Sequence, residues 1–373
     1  MNNAKKILFI APHRPERAPS QRFRFEQYLN FLRSRGFNCS YSFLVSARDD
    51  RCFYSRGKSL IKIFILLKHF FIRLLNVLKA NSYDIIFIHR ESFFVGPAIF
   101  EALLGRSKAK LIFDFDDSIW QKNISEANKK YGFLKNYNKT AKIISLADMV
   151  FAGNQHLADY AKNYNSNVLI VPTTIDTEIY KRIPGQTKSE KICIGWSGSV
   201  STIQHFEYSI GFLLKIKERF GEKIVFKVIG GESYFNEKLG IKGLAWNKND
   251  EIKELSSFDI GIMPLPDDEW ARGKCGLKGL QYMALAIPTI MSPVGVNNEI
   301  IHDGVNGFLA ANEQEWILKL SRLIESEELR KEIGQAGRQT VIERYSVVSQ
   351  KERYLSLFIN FVEVSKIGFS RRD

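Results

Sequence analysis

Short apolar runs alternate with stretches of helical spacing along the chain, the pattern of parallel strands joined by crossover helices. In the first half the runs predict strands at Lys6–Ala11, Asn38–Leu44, Asp84–His89, Lys110–Asp114, Met149–Gly153 and Val168–Pro172. In the second half they predict strands at Lys191–Trp196, Ile224–Ile229, Gly243–Trp246, Ile260–Pro264, Thr289–Ser292 and Gly307–Ala310. Helical spacing covers Arg22–Arg35, Lys135–Ala147, Tyr208–Arg219, Lys278–Ala286, Glu313–Ser326 and Glu328–Arg344, with no short-period repeat and no low-complexity segment. Thr173–Glu190, polar and containing Pro184-Gly185, separates the two sets. The expected class is α/β: two doubly wound domains, 1–175 and 190–345, facing a cleft, followed by a C-terminal helix over 346–373.

One further stretch, 58–79, has its own pattern. At about 100° per residue, Lys58, Lys62, Lys68, His69, Arg73, Asn76 and Lys79 fall within an arc of about 140°, with Ile, Leu and Phe filling the remainder. A basic arc suits peripheral contact with an anionic membrane, while a wide apolar face suits packing on a sheet. Lys62, Lys68 and Arg73 interrupt the run too often for it to span a bilayer comfortably.

Composition narrows the partners. The 373 residues are 45% hydrophobic and 25% charged, ordinary globular values. The net charge of +14 lies wholly in residues 1–184, which hold 29 Lys and Arg against 15 Asp and Glu. Such one-sidedness suits an anionic ligand or surface met by that half alone, and no nucleic-acid module is visible to make nucleic acid the partner. Cys39, Cys52, Cys193 and Cys275 have no CxxC spacing, so neither a disulfide framework nor a zinc site is expected. Only about five apolar residues precede Pro12, which reads as a buried strand and not a signal peptide, and a cytoplasmic location is expected.

The densest candidate chemistry is Pro264–Glu299. A polar loop follows a strand and runs into a helix beginning near Cys275–Leu277, whose free N–H groups and dipole make an anion site. Lys274 and Lys278, four residues apart, add two cations suited to a diphosphate; alternatively they merely solvate a surface loop. Gly198-Ser199 ends another strand with residues small enough for close backbone approach to a phosphate or sugar, or simply for a turn. Asp114, Asp116 and Asp117 end an apolar strand, where mutual repulsion demands a cation, substrate hydroxyls or basic partners. Arg14, Arg17, Arg22 and Arg24 follow the first strand, and arginine favours bidentate phosphate contact. His89 and His205 also stand near strand ends. No Ser/His/Asp order or nucleophile elbow supports hydrolase chemistry.

The segment GLKGLQYMALAIPTIMSPVGVNNEIIHDGVNGFLA resembles the donor-binding region of group 1 (family 4) nucleotide-sugar glycosyltransferases of the GT-B fold. The matching residues are Gly276-Leu277, Met283-Ala284, Pro288, Glu299-Ile300, Asp303-Gly304 and Gly307. LRKEIGQAGRQTVIERYS resembles the family's closing helix, and ADMVFAGNQHLADYAKNYNSNVLIVPTTIDTEIY its inter-domain passage. The resemblance implies a retaining, metal-independent transferase with no cofactor, and a last helix crossing back to the N-terminal domain. It implies transfer from a nucleotide-sugar donor to a glycan or lipid-diphosphate-linked acceptor. Donor binding would fall to Gly198, Ser199, Lys274, Cys275, Gly276, Leu277, Lys278 and Gln281. Acceptor binding would fall to Arg14, Arg22, Arg24 and His89, and catalysis to Asp116, Asp117, Lys274 and Lys278. Two departures stand out. The family's paired glutamates fall at Gly273 and Gln281, and no cation follows Gly195-Trp196-Ser197-Gly198-Ser199. A catalytically silent sugar-nucleotide-binding relative and a nucleotide-sugar epimerase of the same fold are the alternatives.

Overall fold

The computed structural model describes residues 4–55, 57–121, 136–183 and 190–367. The chain forms two compact units: Met1–Pro172 with Lys351–Asp373, and Thr173–Gln350.

In the first unit six strands make one sheet: β1 (Lys6–His13), β2 (Asn38–Val45), β3 (Ile85–His89), β4 (Lys110–Phe115), β5 (Met149–Ala152) and β6 (Val168–Ile170). All neighbours pair in parallel, in the order β2-β1-β3-β4-β5-β6. The chain steps outward from β1 to β2 and then returns to β3 on β1's other side. The carboxyl ends of β1 and β3 are therefore the switch point where such sheets take ligands. β3 is buried throughout, as expected of an inner parallel strand covered on both faces. The C-terminal segment belongs to this core: Tyr354 stacks on Tyr28 at 4.1 Å, and the fully buried Phe358 packs among Phe9, Phe37, Phe87 and Phe151.

The second unit repeats the plan with β7 (Ile192–Ser197), β8 (Ile224–Ile229), β11 (Ile260–Met263), β12 (Thr289–Met291) and β13 (Phe308–Leu309), ordered β13-β12-β11-β7-β8 and parallel throughout. A two-strand hairpin, β9 (Phe235–Asn236) with β10 (Ile241–Lys242), stands apart from the sheet. The switch point here lies between β7 and β11. Trp196, Phe212 and Trp316 anchor the core, the last two stacked at 4.7 Å.

Three expectations are corrected. The helix read over Arg22–Arg35 is broken into Pro19–Arg24, a 3-10 turn Glu26–Tyr28, and Leu29–Ser34. Phe25 leaves helical geometry there and stacks on Phe9, its ring centroid 5.3 Å away, so core packing outweighs local helix preference. Gly243–Trp246 is no strand. Leu244 makes a single bridge to Ile229, and an added Cβ at Gly243 would lie 1.9 Å from the Gly231 carbonyl oxygen.

The third correction concerns the helix Ser59–Lys79, which lies opposite to the way its pattern suggested. The middle of its polar arc faces the protein: Arg73 and His69 are fully buried and Lys62 nearly so, while Lys58, Lys68 and Lys79 at its margins stay exposed. The Arg73 guanidinium donates to the carbonyls of Ala11 and Ser92, to Ser42 Oγ and to Asn76 Oδ1. The apolar face points outward instead. The helical reading over Lys135–Ala147 starts at the edge of residues 122–135, which lie outside the described residues; the helix described runs Lys139–Leu146. Pro184-Gly185 likewise lies outside them.

Candidate functional site

In the second unit the loop after β11 leads through a short helix, Glu269–Arg272, to the helix Leu277–Ala284. Gly276 caps this helix in left-handed geometry (φ 69°), and no side chain closes its first turn. A helix start of this kind attracts an anion. An added Cβ at Gly276 would lie 2.3 Å from Ile300 Cδ1, so the conformation and the space both require glycine. Lys274 precedes the turn with its ammonium 4.6 Å from the centre of the Trp270 ring, and Lys278 lies within the turn, 5.3 Å from that of Trp196. An aromatic face attracts a cation at this range and fixes where each ammonium sits. Tyr282 Oη, one turn on, accepts a hydrogen bond from the Ser197 N–H, bonds the Ser197 hydroxyl as well, and fixes the helix to the end of β7.

His205 completes this corner. It is buried, its Nδ1 has no hydrogen-bond partner, and burial together with Lys278 and Lys274 lowers its pKa to about 3. The neighbouring Trp196 Nε1 is likewise buried without a partner. A positive, apolar-walled corner carrying uncommitted polar atoms is suited to a phosphate-bearing ligand.

Gly198 serves a local purpose. Its added Cβ would lie 2.2 Å from the Trp196 ring, and one on Gly230 (φ 94°) would lie 1.7 Å from the Gly198 carbonyl oxygen. The ends of β7 and β8 thus touch backbone to backbone. The Ser199 hydroxyl bonds Ser201 and caps a 3-10 turn with Thr202. Cys275 is buried, with its Sγ directed to the Gly273 carbonyl, and Leu277 is half-buried.

Gln281 faces a different set of partners. It is buried, and its amide donates to Tyr180 Oη at 3.2 Å and Glu251 Oε1 at 3.4 Å. Glu251 also accepts from the Tyr180 hydroxyl and from Trp246 Nε1. These two bonds occupy both amide hydrogens of Gln281, which the sequence reading placed among the donor-binding residues. Glu251, Tyr180 and Trp246 escaped that reading. They come from three separated segments, and the only local signal was a glutamate opening a helix after a polar turn.

In the first unit each of the three aspartates has a basic partner. Asp114 is buried and bridged by Arg24, and its Oδ2 lies 2.7 Å from His89 Nδ1. Burial would raise its pKa, but Arg24 and His89 prevail and hold it below the ordinary carboxylate value. Asp116 receives Arg90 Nε at 2.8 Å, and Asp117 lies 3.6 Å from the same guanidinium. Against the cost of burial, Arg90 likewise holds Asp116 low. Arg90 itself sits at φ 62° after β3, an uncommon conformation for a residue with a side chain.

Two acceptor residues are corrected. Arg24 is buried, committed to Asp114 and to the Val171 carbonyl, and His89 is fully buried between Asp114 and Ser20. Neither presents a group to a ligand. Arg14 shares Asp50 with Arg17, and Arg22 is half-buried with its guanidinium over the Phe23 ring. Arg14 and Arg22 therefore stay near the end of β1, the first of them at the switch point. Among the described residues, no group of three or more His, Cys, Asp or Glu is placed to hold a metal ion.

Residues 192–326 match the family model described as glycosyl transferases group 1. No curated protein matches the chain. Among solved structures, a glycosyltransferase from Rickettsia africae superposes with a TM-score of 0.64 at 17% identity, over 95% of this chain and 98% of that one. Anabaena HepE in complex with UDP and glucose gives 0.64 at 14% identity, over 95% and 100%. The catalytic domain of starch synthase IV from Arabidopsis thaliana, bound to ADP and acarbose, gives 0.69 at 12% identity, over 96% and 100%. The chain thus has the GT-B fold, and residues 192–326 of its second unit are similar to group 1 glycosyltransferases.

Proposed function

We propose that the protein is a retaining, metal-independent glycosyltransferase that moves a sugar from a nucleotide-sugar donor to a glycan or lipid-linked acceptor. The observation that carries this reading is the uncapped start of the helix Leu277–Ala284 between Lys274 and Lys278, inside the segment matched by the family model. The second unit would take the donor and the basic first unit the acceptor. UDP in the Anabaena structure and ADP in the Arabidopsis one support a nucleotide-diphosphate donor.

Chemistry at this corner is leaving-group stabilisation. As the bond from the anomeric carbon to the diphosphate oxygen breaks, negative charge grows on that oxygen. Lys274, Lys278 and the helix start are the groups placed to meet it. The acceptor hydroxyl attacks from the face the diphosphate leaves, its proton passing to the departing phosphate oxygen, so no protein nucleophile is required. Asp116 and Asp117 are the candidate contacts to the acceptor or reacting sugar.

Gly273, which carries no side chain, and the committed amide of Gln281 favour a second reading: a relative that binds sugar nucleotides without turnover. A thermal-shift and hydrolysis screen of UDP-, GDP-, ADP- and dTDP-sugars, with and without EDTA, tests both. Stabilisation with slow cleavage by one nucleotide class, indifferent to EDTA, is expected. Binding without cleavage or transfer selects the silent relative, and loss of cleavage in EDTA rejects metal independence.

A further inference from the structure

The helix Ser59–Lys79 is held with its apolar side to solvent. Leu60, Phe64 and Leu78 are 70–74% exposed, and Ile63, Leu67 and Phe71 are 50–59% exposed. The strip runs 18 residues, about 27 Å at 1.5 Å per residue. Its rotation is fixed from within, because turning the apolar face inward would tear Arg73 from its three acceptors outside the helix, Ala11, Ser42 and Ser92, and Lys62 from the Ser55 carbonyl. Phe70, whose ring packs on Phe93 and Phe100, joins the strip to the rest of the unit. Monomeric proteins rarely leave so long an apolar face to water.

Charge identifies what covers it. From Arg51 to Tyr83 the chain has seven Lys and Arg and no Asp or Glu. Lys58 and Lys79 are exposed at the two ends of the helix, and Lys68, ion-paired to Asp49, is exposed midway. Exposed Lys108 is brought to the C-terminal end by its N–H bond to Asn81 Oδ1. A second copy of the same face would set cations against cations with no acid within the segment to answer them. An anionic leaflet answers both features: its acyl region takes the Leu and Phe side chains and its headgroups the lysines.

We propose that Ser59–Lys79 is a membrane anchor that lies in the plane of an anionic leaflet, apolar face down, without crossing it. This is the reverse of attachment through the basic arc, and it stands whether or not the chain transfers sugar. The test is co-sedimentation of the full chain with vesicles of phosphatidylcholine alone or with about a third phosphatidylglycerol. Binding to the anionic vesicles is expected to exceed that to the neutral ones at least ten-fold. The variant F64Q/L67Q/F71Q is expected to lose at least ten-fold in binding with its melting temperature unchanged. Should that variant aggregate, a Phe64→Trp reporter decides: vesicle-dependent emission quenched by brominated acyl chains supports insertion, and none overturns it. The proposal also falls if the parent ignores anionic vesicles, binds neutral ones equally, or forms a dimer in solution that the triple variant dissolves.

Discussion

Lys274 and Lys278 lie against tryptophan rings, whereas Arg24 and His89 lie against Asp114. The first pair lies beside a helix start; the second is locked inside the fold. Replacing Lys274 or Lys278 with Met is expected to weaken donor binding about ten-fold each, roughly 1.4 kcal/mol, read as a smaller nucleotide-dependent thermal shift. Arg24→Met leaves Asp114 buried without its main partner and is expected to cost about 3–5 kcal/mol, measured by denaturant unfolding. His205 gives a pH prediction. Burial, Lys278 and Lys274 lower its folded pKa to about 3 against 6.5 unfolded, so the unfolded chain binds a proton that the folded one refuses. Stability is therefore lost as pH falls below 6.5 and levels near 3, with a slope of at most about 1.4 kcal/mol per pH unit. His205→Gln is expected to remove one proton's share of that slope. Lys274 and Lys278 were legible because their spacing is local. The structural role of Arg24 was not, since its partner lies ninety residues away.

Glycines divide sharply at the level of elements. Gly230→Ala would drive a methyl into the rigid Gly198 carbonyl from a positive φ, whereas Gly279→Ala meets the movable Met291 methyl. The first is expected to destabilise by about 2 kcal/mol or more and the second by less, compared through their melting temperatures. Eleven of the twelve strands expected from the pattern formed, and the inner ones, such as β3, are buried along their whole length as their apolar composition requires. Gly243–Trp246 failed because a close backbone approach, invisible in a hydropathy pattern, ended the pairing at Leu244. The β9–β10 hairpin was too short to register as a run. Arg22–Arg35 shows the opposite limit: its helical spacing is real, yet the space beside Phe9 takes Phe25 out of it.

Across the whole molecule, the excess of positive charge in the first half was plain from composition, but its disposition was not. A helical wheel identifies two faces and leaves open which one the protein claims. Here the deciding term was a set of backbone carbonyls waiting for Arg73, a feature of the assembled sheet and not of the helix. The return of the chain at Lys351 carries another consequence. The second unit is a contiguous insertion within the first, so its last residue leaves the ribosome while the first unit still lacks Tyr354 and Phe358. The order of completion runs against the order of synthesis. Nascent 1–172 must wait with the surface around Phe9, Tyr28 and Phe151 uncovered through some 180 residues of further translation, about 9–36 s at ordinary elongation rates. A fragment ending at residue 350 is accordingly expected to hold a protease-resistant second unit beside a labile first one, and a peptide of residues 351–373 supplied in trans to restore protection.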